Sequence, residues 1–224
     1  MSAVIKLSSP ATKEFWEIPV LYEDAELMAL EKPARLLTSP DRYDAERPNL
    51  MKLLHGAIES GKPWAKERGL NYLMNAHRLD FETSGVILMA KTKPMLVQLA
   101  NLFGSEKPLK QYVALVHGSP AHEAFEVNAK LSPHPIKVGL IRVDEKGGKH
   151  SRTIFTVTEK FRNISVLNCQ PLTGRTHQIR VHARHAGLPI VGDILYGGTN
   201  LLLSQLKSDF RLKPKKVENP LIGR

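Results

Sequence analysis

The stretch Ala76-His77-Arg78-Leu79-Asp80-Phe81-Glu82-Thr83-Ser84-Gly85 runs directly into the apolar segment Val86-Ile87-Leu88-Met89-Ala90. The apolar segment reads as a buried strand, so the charged residues before it must reach solvent in a cleft or find partners. Thr83-Ser84-Gly85 suits a tight turn that exposes one carboxylate, Asp80, beside that strand. Such a carboxylate can act as nucleophile, base or metal ligand. A turn-capping aspartate in a salt bridge with Arg78 is the competing reading, and at this point both stay open.

Upstream, residues 1–17 mix Ser, Pro, Lys and Glu without period and read as a flexible leader, with order beginning near Ile18. Val20-Leu21-Tyr22 and Leu27-Met28-Ala29-Leu30 read as short strands around a polar turn, closed by Lys32-Pro33. Asn49 offers a helix N-cap, and Leu50, Leu53, Leu54, Ala57 and Ile58 fall on one helical face that ends near Gly61. Downstream, Lys93-Pro94 starts a helix with Leu96, Leu99, Ala100 and Phe103 on one face and Gly104 as C-cap. Lys110 to His117 is rich in β-formers, with Tyr112, Ala114 and Val116 sharing a face. Gly147-Gly148 suggests a turn joining Gly139–Asp144 to a strand over Arg152–Thr158, and Ile164 to Cys169 gives another strand. Leu201-Leu202-Leu203 can form a last strand, and 207–224 is a basic, proline-bearing tail. No linker divides 18–206, which reads as one domain.

The segment Leu172 to Gly187 is the second informative one. Thr176 can cap a helix whose apolar stripe is Ile179, His182, Ala183 and Ala186, with Gly187 ending it. The opposite face carries His177, Arg180 and Arg184. Two arginines at this spacing repel, so an anion or a buried carboxylate is expected opposite them. The Gly174-Arg175 turn brings backbone N–H groups to the same end.

Lysine and arginine total 32 against 22 acidic residues, a net charge of +10, which directs the search towards polyanions such as nucleic acid or an anionic membrane surface. The one cysteine, Cys169, forms no intrachain disulfide and indicates a reducing compartment. No signal-peptide run or membrane span is found, so a soluble, cytoplasmic protein is expected. His177, His182 and His185 match no zinc spacing, and no nucleotide-binding glycine loop or G-x-S-x-G elbow occurs. Lys110 lies on the face of Tyr112, where a cation would help a phenol serve as acid or base.

Three segments together resemble the RluA family of pseudouridine synthases. They are His77-Arg78-Leu79-Asp80 with Thr83-Ser84-Gly85, then Lys110 to Gly118, then Thr173-Gly174-Arg175-Thr176-His177-Gln178-Ile179-Arg180-Val181-His182. Tyr22-Glu23-Asp24, Glu31-Lys32-Pro33-Ala34 and the late segment Pro189 to Gly197 are similar to that family as well. The resemblance implies an isomerase that breaks the N-glycosidic bond of a uridine in structured RNA, turns the base and rejoins it through carbon 5. On that resemblance Asp80 is the nucleophile, Tyr112 takes the carbon 5 proton, and Arg180 pairs with Asp80 and keeps it ionised. Arg78 takes the space vacated by the flipped base or binds a phosphate, and Ile179, like Tyr112, lies against the base. Lys110, Arg175, His177 and Arg184 are further RNA contacts, with Lys207 and the tail basics as phosphate candidates. The implied fold is α+β, a mixed, mainly antiparallel sheet with flanking helices around a central RNA-binding cleft.

No cofactor, no metal and no obligatory protein partner is implied. The expected partner is RNA, ribosomal or transfer, and the expected state a monomer. Many family members carry an N-terminal S4-type domain that the residues before Ile18 are too few to encode, so substrate choice is expected to come from the catalytic domain. Two other readings stand beside this one: a catalytically silent RNA-binding or RNA-folding protein of the same fold, and a metal-dependent hydrolase using Asp80 as base.

Overall fold

The computed structural model describes residues 3–41, 44, 46–207, 210–211 and 217–221. Within the span that the sequence suggests is one domain, the chain divides into two compact units, Met1–Lys107 and Pro108–Arg224. The boundary lies in Ser105-Glu106-Lys107-Pro108, too short and too ordinary in composition to read as a linker. The α+β class holds, but as two five-stranded sheets, one per unit, with antiparallel strand pairings.

The first unit contains β1 (Val4–Ser9), β2 (Glu14–Glu23), β3 (Leu27–Lys32), α1 (Leu50–Glu59), α2 (Pro63–Glu67), β4 (Met74–Asn75), β5 (Gly85–Ala90) and α3 (Lys93–Gly104). Its strands lie in the order β1-β2-β3-β5-β4. The expected leader is instead part of a hairpin, β1 pairing with β2 from Val4↔Pro19 to Ser9↔Glu14. Ile5 and Leu7 alternate inward and join Ile18 in the core. Burying two such side chains stabilises by about 1.5–3 kcal/mol each, which holds the first residues in the sheet. Asn49 caps α1 as expected, accepting the Lys52 N–H at 2.9 Å, and Leu50, Met51, Leu54 and Ala57 join Leu30, Ile87 and Met89 in one core. Helix α3 is capped by Thr92 and buries only Leu99, a narrower face than the pattern suggests.

The second unit contains β6 (Tyr112–His117), β7 (Ala124–Pro133), β8 (Ile141–Val143), β9 (Lys149–Lys160), β10 (Ile164–Pro171), α4 (Gln178–His185) and α5 (Leu203–Leu206). Its strand order is β6-β10-β9-β7-β8. The Gly147-Gly148 turn does join β8 to β9, yet the two do not pair, because β7 lies between them. Leu167 and Cys169 of β10 share a core with Ala114, Val116 and Phe155, and α4 contributes Ala183 to it. In place of the strand expected at Leu201–Leu203, Leu203 opens the short helix α5. Of the expected basic tail, Lys207, Phe210, Arg211 and 217–221 are described, and the rest lies outside the described residues. Leu221 N–H donates to the Leu201 carbonyl at 2.8 Å. Among the described residues, no helix is long and apolar enough to cross a membrane.

Candidate active site

Asp80 lies in the first unit, half-buried, between buried Leu79 and half-buried Phe81, with Arg78 exposed. The backbone on both sides of it is bonded to the loop that follows β3. Thr38 Oγ1 donates to the Leu79 carbonyl at 3.0 Å and accepts the Leu79 N–H at 3.1 Å. Arg35 N–H donates to the Phe81 carbonyl at 2.7 Å, and Thr83 N–H closes the turn on the Asp80 carbonyl at 3.2 Å. The turn enters β5 at Gly85, whose φ of +127° disfavours any side chain. His77 anchors the other end, its Nε2 accepting the Leu88 N–H at 3.1 Å while its ring stacks on Phe103.

Lys32, the last residue of β3, holds the loop from within. Its side chain is fully buried, and Nζ donates to the carbonyls of Pro33 at 2.7 Å and Leu36 at 2.6 Å. Burial lowers its pKa from 10.5 to about 8, while the carboxylates of Asp80 and Glu82 act in the opposite direction. A cation thus stands in the field of Asp80. Two arginines flank Phe81: Arg35 through its backbone bond, and Arg47 with its guanidinium 4.2 Å from the ring centroid. Arg35 adopts a φ of +62°, a conformation that costs a residue with a side chain about 1–2 kcal/mol.

Tyr112, Lys110, Arg175, His177, Ile179, Arg180 and Arg184 lie in the second unit. The N-cap of α4 is His177 rather than Thr176, in a left-handed conformation (φ +53°) with no side-chain capping bond. The Gln178 side chain takes over part of that role, its Oε1 accepting the Arg175 N–H at 3.0 Å. The buried face also differs from the expected stripe. It comprises Gln178, Val181, His182 and Ala183, while Ala186 is exposed and Ile179 half-buried. Ile179 and Tyr112 both rest on the margin of one apolar cluster, so Ile179 serves the core while keeping an accessible edge.

The polar face of α4 meets the loop 190–198. Arg180 forms a fork with Asp193, Nε to Oδ2 at 2.7 Å and Nη2 to Oδ1 at 2.8 Å, with its guanidinium 4.8 Å from the Tyr196 ring centroid. The Tyr196 hydroxyl accepts the Ile141 N–H at 3.0 Å and shares a hydrogen bond with His177 Nδ1 at 2.7 Å. Arg184 donates to the Tyr196 carbonyl at 3.0 Å. The carboxylate expected opposite the arginines therefore includes Asp193, close in sequence. The loop needs its glycine at 198, where a Cβ would run into the Ile190 carbonyl oxygen.

Beneath α4 lies a buried polar chain whose donors and acceptors can be matched one by one. Arg152 N–H donates to Thr173 Oγ1, whose hydroxyl donates to Gln178 Oε1 at 2.6 Å. Gln178 Nε2 donates to the Arg152 carbonyl and to Thr153 Oγ1, both at 2.9 Å. Thr153 then donates to His182 Nδ1 at 2.9 Å. His182 Nε2–H donates to Ser151 Oγ at 2.9 Å, and Ser151 to the Ala129 carbonyl at 2.6 Å. This arrangement needs a neutral imidazole, and burial, followed by the nearby His185, lowers the His182 pKa to about 4.

The remaining sequence-derived residues are held individually. Lys110 Nζ donates to the Thr173 carbonyl at 3.1 Å, and Arg175 Nε to the His150 carbonyl at 3.0 Å. Asp193, Tyr196 and Thr38 are not among the site residues expected from the sequence, although the first two fall in a segment that carries the resemblance. The signal for those two is the glycine frame Gly192, Gly197 and Gly198, which marks a tightly folded loop. Among the described residues, no group of three His, Cys, Asp or Glu side chains is placed to hold a metal ion.

A family model described as RNA pseudouridylate synthase matches residues 26–185, a span that includes Asp80, Tyr112 and Arg180. Ribosomal large subunit pseudouridine synthase C of Buchnera aphidicola is 37% identical over 185 residues, covering 81% of this chain and 55% of that protein. The protein of the same description in Escherichia coli is 36% identical over 180 residues, covering 80% and 53%. The chain thus spans about half the length of the curated relatives it matches. Among solved structures, human RNA pseudouridylate synthase domain containing 1 superposes with a TM-score of 0.64 at 23% identity, covering 80% of this chain and 69% of that one. That likeness is one of fold, and it agrees with the sequence match: the chain belongs to the RNA pseudouridylate synthase family.

Proposed function

We propose that this protein isomerises a uridine of structured RNA to pseudouridine, with Asp80 as nucleophile. The observation that carries the reading is the fixed Asp80 turn, bonded on both sides to one loop, within the span of the family match. The uridine must leave the stack to meet a carboxylate held in this way, so the base flips. Asp80 bonds to C1′ as the N1–C1′ bond breaks, the freed base turns, and C5 bonds to C1′ as the Asp80–C1′ bond breaks. C5 then gives up its proton to Tyr112 and N1 gains one, so the atoms balance without water, redox partner or metal.

On this reading Arg180 is the cation that pairs with Asp80 and orients it. A guanidinium carries a planar fork of donors, so binding Asp193 through two of them is compatible with serving a second carboxylate. Arg78 fills the vacated stack or grips the adjoining phosphate, Ile179 lies against the base, and Lys110, Arg175, His177 and Arg184 contact RNA. The net charge of +10 suits such a partner.

The substrate is ribosomal RNA of the large subunit, by analogy with the names of the relatives, in preference to transfer RNA. The protein works in the cytoplasm as a monomer. Pseudouridine mapping of RNA from cells with and without the gene tests the reading, with complementation by Asp80→Asn. One or more large-subunit sites should disappear on deletion and stay absent with the variant, whose activity falls by on the order of 10³-fold or more. Unchanged maps would sink the isomerase and favour a silent RNA-binding protein.

A further inference from the structure

We infer that Arg35 is an RNA-backbone contact, its guanidinium binding a phosphate next to the nucleotide presented to Asp80. This rests on the RNA-modifying reading above and adds a binding residue to it. Arg35 occupies the left-handed backbone region at φ +62°, where glycine fits without penalty and an arginine is strained. Its backbone is bonded to Phe81, the residue after Asp80, at 2.7 Å. The loop beneath is fixed by the buried Lys32 ammonium and by the Thr38 bonds to Leu79. The residue is therefore tied to the Asp80 turn, while its side chain is exposed.

Among the described residues, the Arg35 guanidinium takes part in no ion pair or side-chain hydrogen bond, so folding of this unit does not account for an arginine there. Arg47, on the same Phe81, differs: it stacks on the ring at 4.2 Å and pairs with Asp41 at 3.2 Å. A side chain kept at a strained, exposed position beside a nucleophile points to a ligand. The chemistry that suits a guanidinium is a phosphate oxygen pair. Phosphate contacts of this kind position RNA without reading its sequence, so the effect falls on affinity and its salt dependence.

The test compares wild type with Arg35→Gly and Arg35→Lys for binding to bulk ribosomal RNA from about 50 to about 300 mM salt, alongside thermal unfolding. Arg35→Gly should weaken binding about 5-fold and reduce the slope of log affinity against log salt by about 0.7–0.9, the value of one phosphate contact. Its Tm should stay level or rise, because the strain is removed. Arg35→Lys should keep most of the salt slope. Wild-type affinity and slope in Arg35→Gly would overturn the inference, as would a loss of affinity matched by a fall in Tm, the mark of a structural residue. Binding does not depend on turnover: if no uridine is modified yet Arg35→Gly loses affinity, the isomerase reading fails and the contact stands.

Discussion

The Asp80 turn and helix α4 each hold one charged side chain in a set direction, but by different means. Asp80 is fixed through its neighbours' backbones: Thr38 grips Leu79 twice, and Arg35 bonds Phe81. Arg180 is fixed through side chains, by the Asp193 fork above and by the chain from Thr173 through Gln178 and His182 to Ser151 below. A backbone clamp is largely indifferent to pH, whereas a side-chain network containing a histidine depends on its protonation. The two halves of the proposed machinery should therefore fail under different conditions.

The sharpest probe of this contrast is Arg180→Met. It should reduce turnover by about 100–1,000-fold while RNA affinity changes less than about 3-fold, because the role proposed for Arg180 is to orient the nucleophile and not to grip RNA. Equal losses in both measurements would make Arg180 a phosphate contact and remove the functional parallel with Asp80.

Acid provides the next test. The His182 pKa is lowered in the fold from 6.5 to about 4, so between those values the unfolded chain binds a proton that the folded one does not. Stability from this group is present above about pH 6.5 and is lost as pH falls towards 4, by up to about 3 kcal/mol in all. Urea unfolding of the protein across this window, followed by a probe in the second unit, should show the slope, and His182→Gln should flatten it. A wild-type slope in that variant would place the acid sensitivity elsewhere.

Asp193→Asn should slow turnover by about 10–30-fold with RNA affinity unchanged, since Arg180 keeps its charge and loses its alignment. A wild-type rate would mean that Arg180 is oriented without the Asp193 fork. The smallest effect is expected from the backbone side. Thr38→Val should cost about 1–2 kcal/mol of stability and about 5-fold in rate, while Thr38→Ser, which retains the hydroxyl, should behave as wild type. If the serine variant is as damaged as the valine variant, packing of the methyl group and not the paired hydrogen bonds holds Leu79.

The same division between backbone and side-chain support explains what is legible in the sequence. Asn49 and the periodic Leu50, Leu54 and Ala57 announce α1, because cap and apolar face agree over ten residues. The strand after Asp80 is equally plain, since a strand flanked by β3 and β4 is a continuous apolar run. Strand β1 is hidden because its inward residues, Ile5, Leu7 and Ser9, include only two large apolar side chains among polar neighbours. Strand β7 is obscure for a similar reason, with Val127, Ala129 and Leu131 spaced by Asn128 and Lys130. On α4, the cationic face correctly demands a carboxylate. A reading of its buried face by hydrophobicity overlooks Gln178, a polar residue that is buried because every one of its hydrogen bonds is satisfied by groups of the loop before α4 and of β9.

Cys169 sits in the core of the second unit, fully buried, with its thiol pushed up to about 12 by desolvation. As the chain's one cysteine, it is an intrinsic clock for the opening of that unit. A maleimide or an aromatic disulfide reacts with the thiolate only after local or global unfolding exposes it, so labelling kinetics report how often the core opens. The labelling rate, corrected for the reagent's own pH dependence, should climb as acid protonates the opened state, giving a chemical readout without an engineered probe.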